Sequence, residues 1–254
     1  MSHRAAAVAL AIALGLGGPA AADTVRAEEY DAFWLWGAVQ PRPALAAARS
    51  LYLLQGTIDA PSGQDSSARL IAQGGAVPRL RHGEIWLAYR AHTLHWTPQV
   101  YIQILARLRR WRAAGNPVVG VQIDFDARTR HLEEYARFLN EVRAHLPADC
   151  KLGITGLLDW SSQGDPAALT ALGAAVDEIV LQTYQGRRTI PGYQTYLARV
   201  GRMRMPFKIG LVEGGDWNAP LSLSVDPWFR GYVVFLTNGK PTDGRDARFA
   251  ASGQ

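Results

Sequence analysis

Cysteine is nearly absent: Cys150 stands alone in 254 residues, so an oxidising compartment offers this chain no internal disulfide. No His or Cys partner accompanies it, and it reads as a small buried side chain. After residue 16 no apolar run is long enough to cross a bilayer. No glycine-rich phosphate loop follows the first apolar run, and there is no repeat, low-complexity linker or shift in composition to mark a second domain. No Cys/His/acid triplet is present. His92 and His95 lie three apart but follow a strand pattern, so no metal and no other cofactor is expected.

The opening residues carry the anatomy of a secretory leader. Arg4 precedes the small and apolar run Ala5 to Leu16, Gly17-Gly18-Pro19 breaks it, and Ala20-Ala21-Ala22 suits a signal peptidase. We therefore expect residues 1–22 to be removed and residues 23–254 to form one exported domain, periplasmic or secreted, not inserted in a membrane and monomeric. The net charge of +5 is concentrated at Arg107, Arg109, Arg110 and Arg112, which fall in a helical pattern and read as a solvated face. No nucleic-acid motif accompanies the charge. An acidic polysaccharide is a partner it leaves open.

What is abundant is the short apolar run closed by a polar or glycine stop. Eight recur: Ala32 to Val39, Ser50 to Gln55, Glu84 to Tyr89, Pro117 to Phe125, Leu152 to Leu158, Glu178 to Tyr184, Phe207 to Val212 and Gly231 to Leu236. Continuous hydrophobicity suits parallel strands covered on both faces. Helical spacing lies between them. Thr97-Pro98 opens Tyr101, Ile104, Leu105, Leu108 and Trp111, with Gly115 as stop. Leu132, Tyr135, Ala136, Leu139 and Val142 run to Pro147. Asp165-Pro166 opens Leu169, Leu172 and Val176, and Thr189-Ile190-Pro191 opens Tyr193, Leu197 and Val200. Alternating strand and helix predicts an α/β fold, a (β/α)8 TIM-type barrel, with a doubly wound open sheet as the alternative. The early part is irregular: Pro41 to Arg49 holds at most a short helix, and Gly56 to Gly83 reads as loops or a hairpin. Thr237 to Gln254 is too short for a closing helix.

Barrels place chemistry at the C-terminal strand ends. Those ends carry Trp34 and Trp36, Arg90 and His92, Gln122, Asp124 and Asp126, Asp159 and Trp160, Gln182 and Tyr184, Glu213, and Thr237 and Asn238. Acids, amides and aromatics together suit a carbohydrate ligand, with rings for stacking and polar groups for orientation. Residues two apart on a strand share a face, so Gln122, Asp124 and Asp126 point inward, with carboxylates roughly 6–7 Å apart at the backbone. Such a pair can hold one proton near neutrality for acid/base work. The plainer reading is a structural polar layer paired with Arg90.

Gly120-Val121-Gln122-Ile123-Asp124-Phe125-Asp126 resembles the fourth-strand motif of family 18 glycoside hydrolases, the chitinase-like barrels, G-[IV]-D-[IL]-D-[WFY]-E. The resemblance implies Asp126 as the acid, Asp124 as the group orienting an acetamido substituent, and Tyr184, in Gln182-Thr183-Tyr184-Gln185, as its helper. Two positions differ: aspartate stands for glutamate at 126, and Gln122 for the innermost aspartate. Across Phe33-Trp34-Leu35-Trp36, Leu53-Leu54-Gln55-Gly56, Ile85 to Arg90, Val121 to Asp126 and Leu181 to Gly186, the chain resembles an exported bacterial family, domain of unknown function 3142. That family implies a fold but no activity.

A second layout pairs Asp126 with Glu213 across the mouth, for which retaining glycosidases need about 5–5.5 Å and inverting ones about 6.5–9.5 Å. The bland reading of Glu213 is a salt bridge. Gln122, Gln182, Arg90, His92, Trp36, Trp160 and Asp159 are candidate substrate contacts, with Trp160 and Trp217 as sugar platforms if they are not core. Ser161 and Ser162 lack a nucleophile elbow. The expected function is an exported glycoside hydrolase-like protein using carboxylate acid/base catalysis. The alternatives are a carbohydrate-binding barrel without catalysis and a scaffold with a vestigial cleft.

Overall fold

A computed structural model describes residues 23–37, 41–60, 67–73, 77, 79–80 and 83–237. The expected leader, residues 1–22, and Asn238 lie outside the described residues. Eight strands follow the apolar runs: β1 Ala32–Leu35, β2 Ser50–Asp59, β3 Glu84–Ala91, β4 Val118–Asp124, β5 Lys151–Leu157, β6 Glu178–Gln182, β7 Phe207–Val212 and β8 Phe229–Phe235. Each pairs in parallel with its neighbours in chain order, and β8 pairs with β1 while β1 pairs with β2. The sheet therefore closes into a barrel, and the open-sheet alternative falls.

The helices divide as the sequence divides them. Behind β3 runs α2, Pro98–Ala113, behind β4 α3, Leu132–His145, and behind β5 the pair α4, Trp160–Gln163, and α5, Pro166–Ala175. The early connection holds only α1, Pro43–Ala46. Asp165 caps α5, its Oδ1 accepting from Ala168 N at 2.9 Å. Thr97 stands at the N-cap of α2 without a side-chain cap and donates instead to the Ala68 carbonyl. Gly115 stops the helix region at φ 80°, a conformation that suits glycine.

Three connections are irregular. β2 runs to Asp59, and Arg69–Ala72 pairs antiparallel with its outer half, which realises the hairpin reading of that stretch. The register slips between Leu54 and Gly56, and the intervening Gln55 turns outward to accept from Trp111 Nε1 at 2.8 Å. After β6 the expected helix opener is itself a strand: Arg188–Thr189 folds back on Tyr184–Gln185. Gly192, at φ 72°, then admits only the short α6, Tyr193–Leu197, and a 3-10 turn over Val200–Met203. After β7 comes the short α7, Leu221–Val225. No helix among the described residues is long and apolar enough to cross a membrane.

Alternation along the strands makes two cores. The larger lies between barrel and helices, where β-branched and leucine side chains from every strand meet Trp96, Leu108, Tyr135 and Leu139. Cys150 is buried at its edge, and burial pushes its thiol up. The smaller fills the lumen with Ala32, Trp34, Tyr52, Trp86, Ala88, Val180 and Val233. Trp86 stacks on Tyr52 with ring planes 8° apart and lies against Gly120, where a Cβ would stand 2.5 Å from the indole. Glycine at 120 is therefore a packing requirement.

At the N-terminal end of the lumen sits a closed polar network. Tyr52 donates to Glu178, Lys208 donates to the Tyr52 hydroxyl at 2.8 Å, and Lys208 pairs with Glu178 at 2.9 Å. Burial first, and the adjacent Glu178 charge second, hold the Tyr52 phenol well above its ordinary range. Removing one partner leaves a buried charge uncompensated. Lys208→Met should lower unfolding free energy by about 3–5 kcal/mol, and Lys208→Met with Glu178→Leu should recover most of that, measured by urea denaturation. Equal stability of the single variant and the parent would show that the network contributes nothing.

Candidate active site

The C-terminal mouth is organised by β3 and β4. Their register sets Arg90 opposite Asp124, and both side chains face the lumen because each continues the inward parity of Trp86 and Gly120. Arg90 Nη1 donates to Asp124 Oδ2 at 2.9 Å, while Nη2 donates to Asp126 Oδ2. Thr155 of β5 donates to the other Asp124 oxygen at 2.7 Å. One guanidinium thus bridges both carboxylates. Asp124 has no exposed surface, whereas half of the Asp126 side chain is exposed.

The electrostatics follow from that division. Burial pushes the Asp124 carboxyl upward, Arg90 pulls it down, Asp126 pushes it up and the Thr155 hydrogen bond pulls it down; the net direction is up. Burial works against the Arg90 charge, but Asp124 and Asp126 more than offset it, so the guanidinium is held charged. Around this cluster stand aromatic groups. Tyr184 stacks on Phe235 at 5.8 Å, Phe235 meets Trp36 edge-on at 5.7 Å, and Trp36 leaves 40% of its surface open. Enclosure first, then the Asp124 charge, hold the Tyr184 hydroxyl above its ordinary range, and a hydrogen bond with the Gln182 side chain pulls the other way.

Arg90, Asp124, Asp126, Gln182, Tyr184 and Trp36 are thus brought to one mouth, joined by Thr155 and Phe235, which the sequence reading did not single out. Thr155 was visible as the one inward polar residue of an apolar run. Phe235 carried no signal, since an aromatic ending a buried strand is ordinary core.

Other candidates lie elsewhere. Gln122 sits one layer below Asp124, wholly buried, where it cannot meet a ligand at the mouth. Trp160 is fully buried, its Nε1 donating to the Ala127 carbonyl at 2.8 Å, and Trp217 is buried against Tyr193; neither is free to serve as a sugar platform. Glu213 forks onto Arg42, with Nη2 to Oε2 at 2.9 Å, and also accepts from the Thr237 amide. The salt-bridge reading holds for it, and the carboxylate is occupied. His92 is half-exposed, 3.8 Å from Asp59 at the end of β2, and its backbone amide is tied to Ile58. Asp159 is half-buried, with Oδ1 unpartnered among protein groups; burial pushes its carboxyl up, against backbone amides that pull it down. Among the described residues no three His, Cys, Asp or Glu side chains gather as a metal site would require.

Fold and mouth together define a closed parallel (β/α)8 barrel whose polar and aromatic cluster lies at the C-terminal strand ends. The sequence model of the domain of unknown function DUF3142 matches residues 92–192, in keeping with the resemblance read from the motifs. Val121 to Asp126 and Leu181 to Gly186 fall inside the match, and Phe33 to Trp36 and Ile85 to Arg90 outside it. No curated protein matches the sequence. Among solved structures the chain is similar to the chitinase domain of the spore coat protein CotE from Clostridium difficile, at 13% identity and TM-score 0.45, covering 80% of this chain and 68% of that one. It is similar to the Bacillus cereus spore cortex-lytic enzyme SleL at 15% identity and TM-score 0.41, covering 71% and 50%. It is also similar to the xylanase and alpha-amylase inhibitor protein XAIP-II from Scadoxus multiflorus at 14% identity and TM-score 0.43, covering 74% and 83%.

The bridge makes a signed prediction. Arg90→Leu leaves Asp124 buried without its cation and should cost about 3–5 kcal/mol at pH 7. A carboxyl raised in the folded state stabilises below its ordinary value of 3.8 and loses that contribution as pH rises through the raised one. Without Arg90 that rise grows, so the deficit of Arg90→Leu should shrink between pH 7 and pH 5. A deficit constant across that range in thermal unfolding would contradict the bridge.

Proposed function

We propose that this chain is an exported carbohydrate-binding barrel that holds a glycan at its C-terminal mouth without cleaving it through the Asp124–Asp126 pair. The observation that carries this reading is the Arg90 bridge. A proton donor must present a free oxygen to the leaving group, and the shared guanidinium already engages one oxygen of each carboxylate, with Thr155 on the other oxygen of Asp124. The same arrangement serves binding well. Exposed Asp126 offers an acceptor fixed in place by Arg90, Gln182 adds an amide, and Trp36 and Tyr184 supply aromatic faces for the apolar side of a sugar ring. Export to the periplasm or beyond rests on the leader pattern of residues 4–22.

One observation favours hydrolysis by another route. Asp159 combines an unpartnered, buried oxygen with a carboxyl that burial pushes up, and no ion pair to it is found among the described residues. In that second reading Asp159 donates the proton and Asp126 is the second carboxyl.

Calorimetry against a panel of neutral, amino-sugar and uronate oligosaccharides separates the two. Binding without product, weakened roughly tenfold (about 1.4 kcal/mol) by Asp126→Ala and by Trp36→Ala, is the expected outcome. Product formation by the parent protein, lost in Asp159→Asn, would establish the hydrolytic reading instead. No affinity for any glycan would end both.

A further inference from the structure

The charges around the mouth are unevenly matched. Asp59 ends β2, Asp124 and Asp126 stand at the end of β4, Asp159 follows β5 and Glu213 follows β7, while Arg90 is the one arginine among these strand ends. Arg42, beside α1, is a second cation, but both of its terminal nitrogens are engaged by Glu213. Arg90 is engaged in the same way, and its single charge faces two acids. Asp59 meets His92 at 3.8 Å, and Asp159 keeps one oxygen without a protein partner. The arginines of the neighbouring loops are also engaged or turned aside. Arg130 donates to His131, Arg128 and Arg187 have partners of their own, and Arg188 shares with Gln185 the face of its hairpin opposite Tyr184. A chain with a net charge of +5 therefore turns an acidic rim toward its ligand.

The rings select the same sign of charge. Phe235 stacks on Tyr184 and stands edge-on to Trp36, which is the exposed member of the three. The face of an indole carries negative potential and attracts a cation, an ammonium group included. Hydrogen bonding agrees. Arg90 takes only Oδ2 of half-exposed Asp126, so its other oxygen remains for a ligand donor. An ammonium group offers three donors and no acceptor. An acetamido group is served less well, because Asp124 has no exposed surface and already accepts at both oxygens, from Arg90 and from Thr155.

We propose that the glycan held at this mouth is an amino sugar without its acetyl group, with its ammonium on Asp126 and its ring over Trp36. The proposal rests on the glycan reading of the mouth and narrows it to one chemical class. A uronate meets like charge on the same rim, and a neutral sugar leaves the Asp126 charge unanswered.

The test compares glucosamine and N-acetylglucosamine oligomers of equal length and linkage, with a uronate oligomer as control, by calorimetry on the full chain. The glucosamine oligomer should bind roughly tenfold more tightly than its acetylated twin. Added salt should erode that difference, since the proposed ion pair is exposed. Asp126→Asn keeps an acceptor for Arg90 but loses the charge, so in it the two affinities should converge. Equal or tighter binding of the acetylated or the uronate oligomer by the parent protein overturns the proposal and leaves the glycan reading standing. A preference for the amine that survives in Asp126→Asn also overturns it, as does one in the parent that salt leaves unchanged. The salt dependence decides the point whether or not the variant folds. Failure to bind any of the glycans ends the broader reading and this one with it.

Discussion

The guanidinium of Arg90 is the interaction on which the mouth depends. A carboxylate as deeply buried as Asp124 is expensive to ionise, and its neighbour Asp126 adds repulsion. One planar cation with two nitrogens aimed at two acids opposes both terms at once, although burial still leaves the Asp124 carboxyl raised. Lysine could not span them with the same geometry. Because the bridge joins β3 to the end of β4, it also fixes where the loop after β4 leaves the barrel, and with it the exposure of Asp126.

The lumen repeats this logic at its other end. Tyr52, Glu178 and Lys208 join β2, β6 and β7 in a buried ionic layer, while Arg90, Asp124 and Thr155 join β3, β4 and β5. Indoles and small side chains lie between the two layers. The upper layer differs in one respect: it opens on one side to Asp126 and Trp36. A barrel can bury polar layers at both ends, but only the open one can meet a ligand. That asymmetry, more than the identity of any single acid, is why function is sought at the C-terminal end.

Much of this was legible beforehand. The eight apolar runs became the eight strands, and inward alternation of Gln122 and Asp124 followed from the two-residue period. Arg90 as the partner of the acids was one of two readings, and the structure realises it. Depth was harder to read. Gln122 and Trp160 were placed at the mouth because they stand near strand ends in the chain, yet one lies a layer too deep and the other turns behind the barrel toward Tyr135. The helix expected after Pro191 was shortened because Thr189 pairs in a hairpin, a choice local spacing does not reveal.

By itself the sequence determined which residues alternate inward, where strands stop, and that acids, amides and aromatics cluster at one end. These are consequences of local geometry, legible at a spacing of two or of three to four residues. Only the tertiary structure decided which charge meets which. Arg90 reaches Asp124 across 34 residues, and Arg42 reaches Glu213 across 171. Those pairings turn a suspected proton donor into a bridged carboxylate and its suspected partner across the mouth into a salt bridge. Parallel closure brings distant strand ends into contact, and the state of an acid depends on its neighbours in space, which no local pattern encodes.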